Sequence, residues 1–191
     1  MTLSRNRKIY ETWSLKTSIM TTKLYSTSFS IGIRMLDKSI RNAVYSIYGF
    51  VRLADEIVDT LHEFDKELLL KKFKEDTYFA IENKISTNPI LHSFQQVVHQ
   101  YKIDLELIEQ FLHSMEMDLS KKKYSEDEYK TYILGSAEVV GLMCLKIFCN
   151  GNQDEYLKLK PAAMKLGAAF QKVNFLRDIH ADEEMGRMYF P

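Results

Sequence analysis

Cysteine, proline and glycine are all scarce in this 191-residue sequence, at 2, 3 and 7 copies, and each scarcity excludes something. The two Cys, at 144 and 149, share one apolar run and have no further Cys or His at ligand spacing. That excludes a disulfide framework and a zinc site, and it reads as buried thiols of a reducing compartment. With so little Gly and Pro there are few turn formers, which argues against a many-stranded fold. An excess of one charge is also lacking: 26 basic residues balance 26 acidic ones. Nothing in that balance calls for nucleic acid, or an anionic membrane surface, as the main partner. Long hydrophobic runs are missing too. The longest, residues 139–149, is broken by Lys146 and falls well short of the roughly twenty residues that span a bilayer. Residues 1–16 contain no apolar signal-peptide core. No transmembrane anchor is expected; a cytoplasmic protein is, with peripheral membrane association left open.

What is present is helical periodicity nearly throughout. It predicts helices over roughly 6–23, 38–59, 65–84, 89–101, 104–119, 125–149 and 154–182. Asp104 and Ser125 are expected N-caps, the latter with Glu128 placed for a capping box. Asn88-Pro89 reads as a stop and a start, Gly151-Asn152 as the end of the sixth helix. Without repeats or linkers, residues 1–191 form one all-α domain. Residues 134–149 and much of 162–176 are apolar nearly all round, which predicts central helices. Gly135, Ser136, Ala137 and Gly141 thin one side of the first of these. That permits close helix packing, or leaves room for a long apolar ligand.

Against this apolar background stand two aspartate pairs of the same spacing, Asp55/Asp59 and Asp178/Asp182. Four residues apart on a helix, both carboxylates of a pair share one face, about 6 Å apart at Cβ. Like charges that close cost stability unless a cation or donors lie between them. Hard oxygen ligands in pairs suit Mg²⁺, which completes its shell with waters and substrate phosphates. Arg52 and Arg177 flank the two pairs, and Gln171, Asn174 and Asp178 line one helical face as a polar stripe. Such a stripe on an apolar helix points to a site. Aspartate pairs at the mouth of an apolar space suit a substrate with a diphosphate head and a hydrocarbon tail.

Four blocks carry a resemblance: YSTSFS at 25–30, AVYSIYGFVRLADEIVD at 43–59, GSAEVVGLM at 135–143 and LGAAFQKVNFLRDIHADEEMGRMYFP at 166–191. Together they resemble the squalene/phytoene synthases, the head-to-head trans-isoprenyl diphosphate synthases, and the bacterial phytoene synthase branch most. The resemblance implies an isoprenoid (terpenoid) synthase helical bundle around a central apolar cavity. Asp55 and Asp59 would form the first aspartate-rich motif, Asp178 and Asp182 the second, each binding Mg²⁺ (Mn²⁺ as a substitute) that grips a prenyl diphosphate. Tyr48 and Arg52 match positions lining the first site; Gln171, Asn174 and Arg177 match those beside the second. Ser26, Ser28 and Phe29 match the segment that covers the diphosphate. Ala137, Val140 and Gly141 match the cavity wall, and Arg187 and Tyr189 fall in the GRxYFP segment.

The implied reaction joins two geranylgeranyl diphosphates head to head, through a cyclopropyl diphosphate, to phytoene of carotenoid biosynthesis. Squalene synthesis from farnesyl diphosphate with NADPH, or hydroxysqualene synthesis without it, is the alternative. Such enzymes bind NADPH without a Rossmann glycine fingerprint, so the lack of one here decides little. A non-catalytic helical assembly protein is the remaining reading, and the four intact Asp argue against it. The implied partners are prenyl diphosphates, with a membrane contact for product release and a monomeric state. Two features depart from the pattern. Tyr25 and Thr27 stand where many relatives carry His and Lys, and several helices usually follow GRxYFP, so the resemblance predicts a domain lacking its C-terminal helices.

Overall fold

The computed structural model of the chain describes residues 4–120 and 124–184, with side chains as far as residue 179. Its helices are α1 (Arg5–Tyr25), α2 (Thr27–Met35), α3 (Lys38–Asp59), α4 (Lys66–Asn83), α5 (Pro89–Tyr101) and α6 (Leu105–Ser120). Then follow α7 (Glu126–Ile133), a π-helical turn (Leu134–Glu138), α8 (Val139–Phe148) and α9 (Gln153–Glu184). No strand occurs among the described residues.

Local chemistry explains most of these boundaries. Asn88 Oδ1 accepts from the amides of Ile90 and Leu91 with Pro89 in the first turn, and Ser125 and Glu128 form the reciprocal capping box. Asp104, expected as an N-cap, holds Lys146 Nζ at 3.0 Å. After α8 the chain turns through Asn150 and Gly151, with φ +46° and +86°; the second is a conformation that glycine adopts without strain.

Two differences from the sequence reading bear on the site. Residues 27–35 form α2, which the periodicity does not announce. Ser26 caps it through the Phe29 amide, and Ser30 and Ile33 are its buried anchors. The expected continuous helix over 125–149 instead contains the π turn. It coincides with the small residues Gly135, Ser136 and Ala137, where two other helices come close. A Cβ on Gly135 would lie 2.5 Å from the Gln110 carbonyl oxygen and 2.7 Å from Ser114 Cβ on α6. One on Gly167 of α9 would lie 2.9 Å from the Ala137 carbonyl oxygen. At these points the small side chains serve close packing.

The core lies between α3, α4, α5, α6 and α8. The Phe50 and Phe94 rings stack at 3.9 Å between centroids, with Phe73 and Phe111 against Phe50 at 5.5 and 5.3 Å. Ile47, Leu91, Ile108, Leu112, Leu142, Met143 and Ile147 are sealed around them. Glu126–Phe148 is long and apolar enough to cross a membrane by length and composition; half of its most apolar window is buried, as in the core helix of a globular fold. Cys144 and Cys149 are free thiols, and burial pushes Cys144 up to about 12. The other helix expected to be central is not. α9 packs on α8 and the π turn on one side, while Leu166, Phe170, Val173 and Leu176 are exposed.

α1 is inverted in character. Its buried face is Ser14, Ser18 and Thr22, and Ser18 Oγ meets Ser93 Oγ of α5 at 2.7 Å. Small hydroxyl residues let it lie flush on α3, where a Cβ on Gly49 would stand 2.9 Å from Ser18 Oγ.

Candidate active site

The first aspartate pair sits on the last two turns of α3, an amphipathic helix whose other face carries Ile47, Phe50, Ala54, Ile57 and Val58 into the core. Packing of that face fixes the helix rotation and hence where Tyr48, Arg52, Asp55 and Asp59 point. Against them comes the α1–α2 corner. The Phe29 and Tyr48 rings lie 5.6 Å apart, and the Tyr48 hydroxyl is within hydrogen-bond reach of Ser26. Burial lifts the Tyr48 phenol above its ordinary value. Ser28 Oγ stands 3.4 Å from Ser26 Oγ. The serine block therefore does reach the first aspartate helix.

Arg52 organises this corner. Its guanidinium pairs with Glu56 one turn on and lies 4.4 Å from the centre of the Tyr25 ring, a cation–π contact. The Tyr25 hydroxyl in turn donates to Glu56. Tyr25, one of the two departures from the family pattern, thus braces Arg52 where a basic side chain was expected. Arg52 Nε is buried without a hydrogen-bond partner, a donor held ready in the site.

Asp55 is half-covered, and its carboxyl is raised from 3.8 to about 7. Burial is the largest cause; the Asp59 charge adds to it, and Asp118 and Glu56 contribute less, against the lowering by Arg52. Asp118, on α6, is a site residue that sequence reasoning missed. It is only 7% exposed and accepts from the hydroxyls of Tyr124 at 3.2 Å and Tyr132 at 2.7 Å. Its position was a signal: a carboxylate in the last turn of a helix opposes the helix dipole and needs a specific partner.

On α9, Asn174 Nδ2 donates to Gln171 Oε1 at 3.4 Å, so these two side chains share one helical face. Arg177 grips both oxygens of its neighbour Asp178, Nε at 2.7 Å and Nη2 at 2.6 Å, and this holds the Asp178 carboxyl below the usual range. Asp182 lies on α9 but its side chain is outside the described residues, as are Arg187 and Tyr189. An aromatic path joins the two aspartate helices: Phe175 of α9 is buried against Tyr132 and Tyr129, and Tyr132 reaches Asp118 beside Asp55. Ala137, Val140 and Gly141 are half-buried between the core and α9. No group of three or more His, Cys, Asp or Glu converges as a metal site among the described residues. The donor chemistry of Asp55 and Asp59 still fits a hard divalent cation: two carboxylates one turn apart on the same face of α3 are hard oxygen ligands of the kind such an ion takes.

The squalene/phytoene synthase family profile matches residues 22–191 of the chain. The chain belongs to this family. Among curated relatives of this squalene/phytoene synthase family member, 4,4'-diapophytoene synthase of Staphylococcus haemolyticus is 26% identical over 88% of the chain and 59% of its own length. Phytoene synthase of Arthrospira platensis is 27% identical over 89% and 58%, and that of Daucus carota 29% identical over 87% and 43%. The chain thus spans less than two thirds of the length of these relatives. Crystal structures of a dehydrosqualene synthase (TM-score 0.81, 24% identity) and of the squalene synthase of Alicyclobacillus acidocaldarius (TM-score 0.82, 20% identity) share its fold. Each superposition covers 94% of the chain, and 61% and 66% of the respective structures. The isoprenoid synthase fold expected from the motifs is therefore the fold observed.

Proposed function

We propose that the protein acts in the head-to-head condensation of two prenyl diphosphates, as a phytoene synthase working on geranylgeranyl diphosphate. The observation that carries the reading is the α3 corner: the half-covered Asp55 carboxyl beside Asp59 on one helical face, one turn from an arginine with an unpaired buried donor, with Tyr48 and Phe29 against it. That is the electrostatics of a site that accepts a metal-bound diphosphate.

Asp55 and Asp59 would hold Mg²⁺, with Asp178 and Asp182 as the second pair. Bound there, the ion supplies charge stabilisation for a departing diphosphate. Arg52 is placed to donate to the same leaving group. Arg177 occupies both oxygens of Asp178, so binding at the second pair exchanges that contact. As the diphosphate leaves, the allylic carbon becomes cationic. The facing rings of Tyr48 and Phe29 present π surface to such a cation. Capture by the double bond of the second substrate, with loss of a proton, gives a cyclopropyl diphosphate. Loss of the second diphosphate, rearrangement and a further proton loss give the hydrocarbon. Gln171 and Asn174 would orient the second head group, and Ala137, Val140 and Gly141 would border the prenyl chains. The protein would act as a monomer in the cytoplasm and release its product at a membrane.

The second reading is a shorter farnesyl substrate, the alternative that the motif resemblance leaves open; the relatives, named phytoene and 4,4'-diapophytoene synthase, do not share one product. The assay supplies Mg²⁺ with farnesyl or geranylgeranyl diphosphate, with and without NADPH. A C40 triene formed without reductant is expected. C30 products would move the assignment to the second reading, and no product from either substrate would overturn both.

A further inference from the structure

We propose that the outer face of α1 docks onto an anionic phospholipid bilayer. A net charge of zero conceals a strong local segregation. Ile9, Trp13, Met20 and Leu24 are 58, 49, 58 and 76% exposed. At 3.6 residues per turn they fall within about 60° of arc, a continuous apolar ribbon. Arg5, Lys16 and Lys23 run along one edge of that ribbon, all exposed. Lys8 joins Arg5, Lys16, Ile9, Thr12 and Trp13 around a shallow depression of about 590 Å³. None of the four cations meets a carboxylate among the described residues. The one acid of α1, Glu11, is taken by Arg7 at 3.1 Å. An apolar ribbon with Trp, edged by Lys and Arg, is the pattern of a helix that lies in the lipid interface. Here the cations would reach the phosphates while Trp13 and Leu24 enter the acyl boundary.

The inverted packing of α1 supports this. Its Ser14, Ser18 and Thr22 face lies against α3 and α5, so the apolar side chains are left outside. Charge complementarity selects anionic lipid over a neutral surface. The α1 surface stands without the synthase reading; only its use, delivery of an apolar product, rests on it.

Trp13 is the single tryptophan of the chain, so its fluorescence reports this face and no other. The 191-residue protein is mixed with vesicles of phosphatidylcholine alone or with added phosphatidylglycerol. The expected result is a shift of emission to shorter wavelength, and quenching by brominated lipid, with the anionic vesicles only. Lys16→Glu/Lys23→Glu, checked for unchanged helicity, should weaken binding by about tenfold or more. Unchanged emission, equal response to neutral vesicles, or vesicle binding without a Trp13 response would overturn the proposal. So would shielding of Trp13 by a second copy without lipid. Turnover of prenyl diphosphates in detergent tests the synthase reading separately, since it requires no bilayer.

Discussion

Asp55 concentrates the argument at the scale of single residues. Its carboxyl holds its proton to about pH 7 in the fold, against 3.8 ordinarily. Between those values the folded chain binds more protons than the unfolded one, so stability falls as pH rises through this window. The loss is on the order of 4 kcal/mol at most. Asp55→Asn removes the ionisation. Without divalent ions, the variant should melt above wild type at pH 8 and level with it near pH 4. Added Mg²⁺ should raise the wild-type melting temperature and leave the variant unmoved. Equal Mg²⁺ stabilisation of both proteins would sink the assignment of Asp55 as a ligand. A companion variant, Asp118→Asn, keeps the shape of the acceptor for the Tyr124 and Tyr132 hydroxyls but removes one charge near Asp55. It should lower the Asp55 pKa, which carboxyl-resolved NMR titration would show; an unchanged value would separate the two carboxyls.

Much of this was legible in the sequence, because helical spacing alone aligns Tyr48, Arg52, Asp55 and Asp59. The partners were not. Tyr25 under Arg52 depends on a corner between α1 and α2, and Asp118 depends on how α6 lies beside α3. Those are tertiary facts that no local pattern encodes.

At the scale of elements, the small residues of the π turn and α9 separate two meanings of the same composition. Gly135 and Gly167 sit where another helix leaves no room for a methyl group, whereas a Cβ on Gly141 would make an ordinary 3.5 Å contact with the Ala163 carbonyl oxygen. Gly135→Ala should therefore cost about 1–3 kcal/mol through overpacking. Gly167→Ala should fall in the same direction. Gly141→Ala should be neutral or gain up to about 1 kcal/mol from helix propensity. Urea unfolding midpoints rank the three. A Gly135→Ala protein as stable as Gly141→Ala would show that α6 does not press on the turn. Sequence reading found these residues but left two uses open, since composition cannot tell a close approach from a vacant wall. It missed α2 because nine residues are shorter than the window over which a helical period can be recognised, and the π turn because one widened turn hardly disturbs the apolar pattern.

For the whole molecule, the consequential feature is the uncovered side of α9. Leu166, Phe170, Val173 and Leu176 are each about 60% exposed, and Phe29, Ile31 and Met35 add apolar surface on α2. Apolar helices were expected to be central because burial of such side chains is worth about 25 cal/mol per Å². α9 instead leaves its apolar side to solvent, and patches beyond a few hundred Å² are rare on soluble monomers. The 191-residue chain should therefore brighten a hydrophobic dye and self-associate as concentration rises. Phe170→Glu/Val173→Lys should suppress both effects. Because these side chains are exposed, the melting temperature should barely change, which separates this surface from the core. The α1 ribbon carries its own reporter in Trp13, so dye binding that survives the α9 variant but disappears with Trp13→Ser would place the sticky surface on α1. A dye-silent, monodisperse protein at all concentrations would refute an exposed apolar α9.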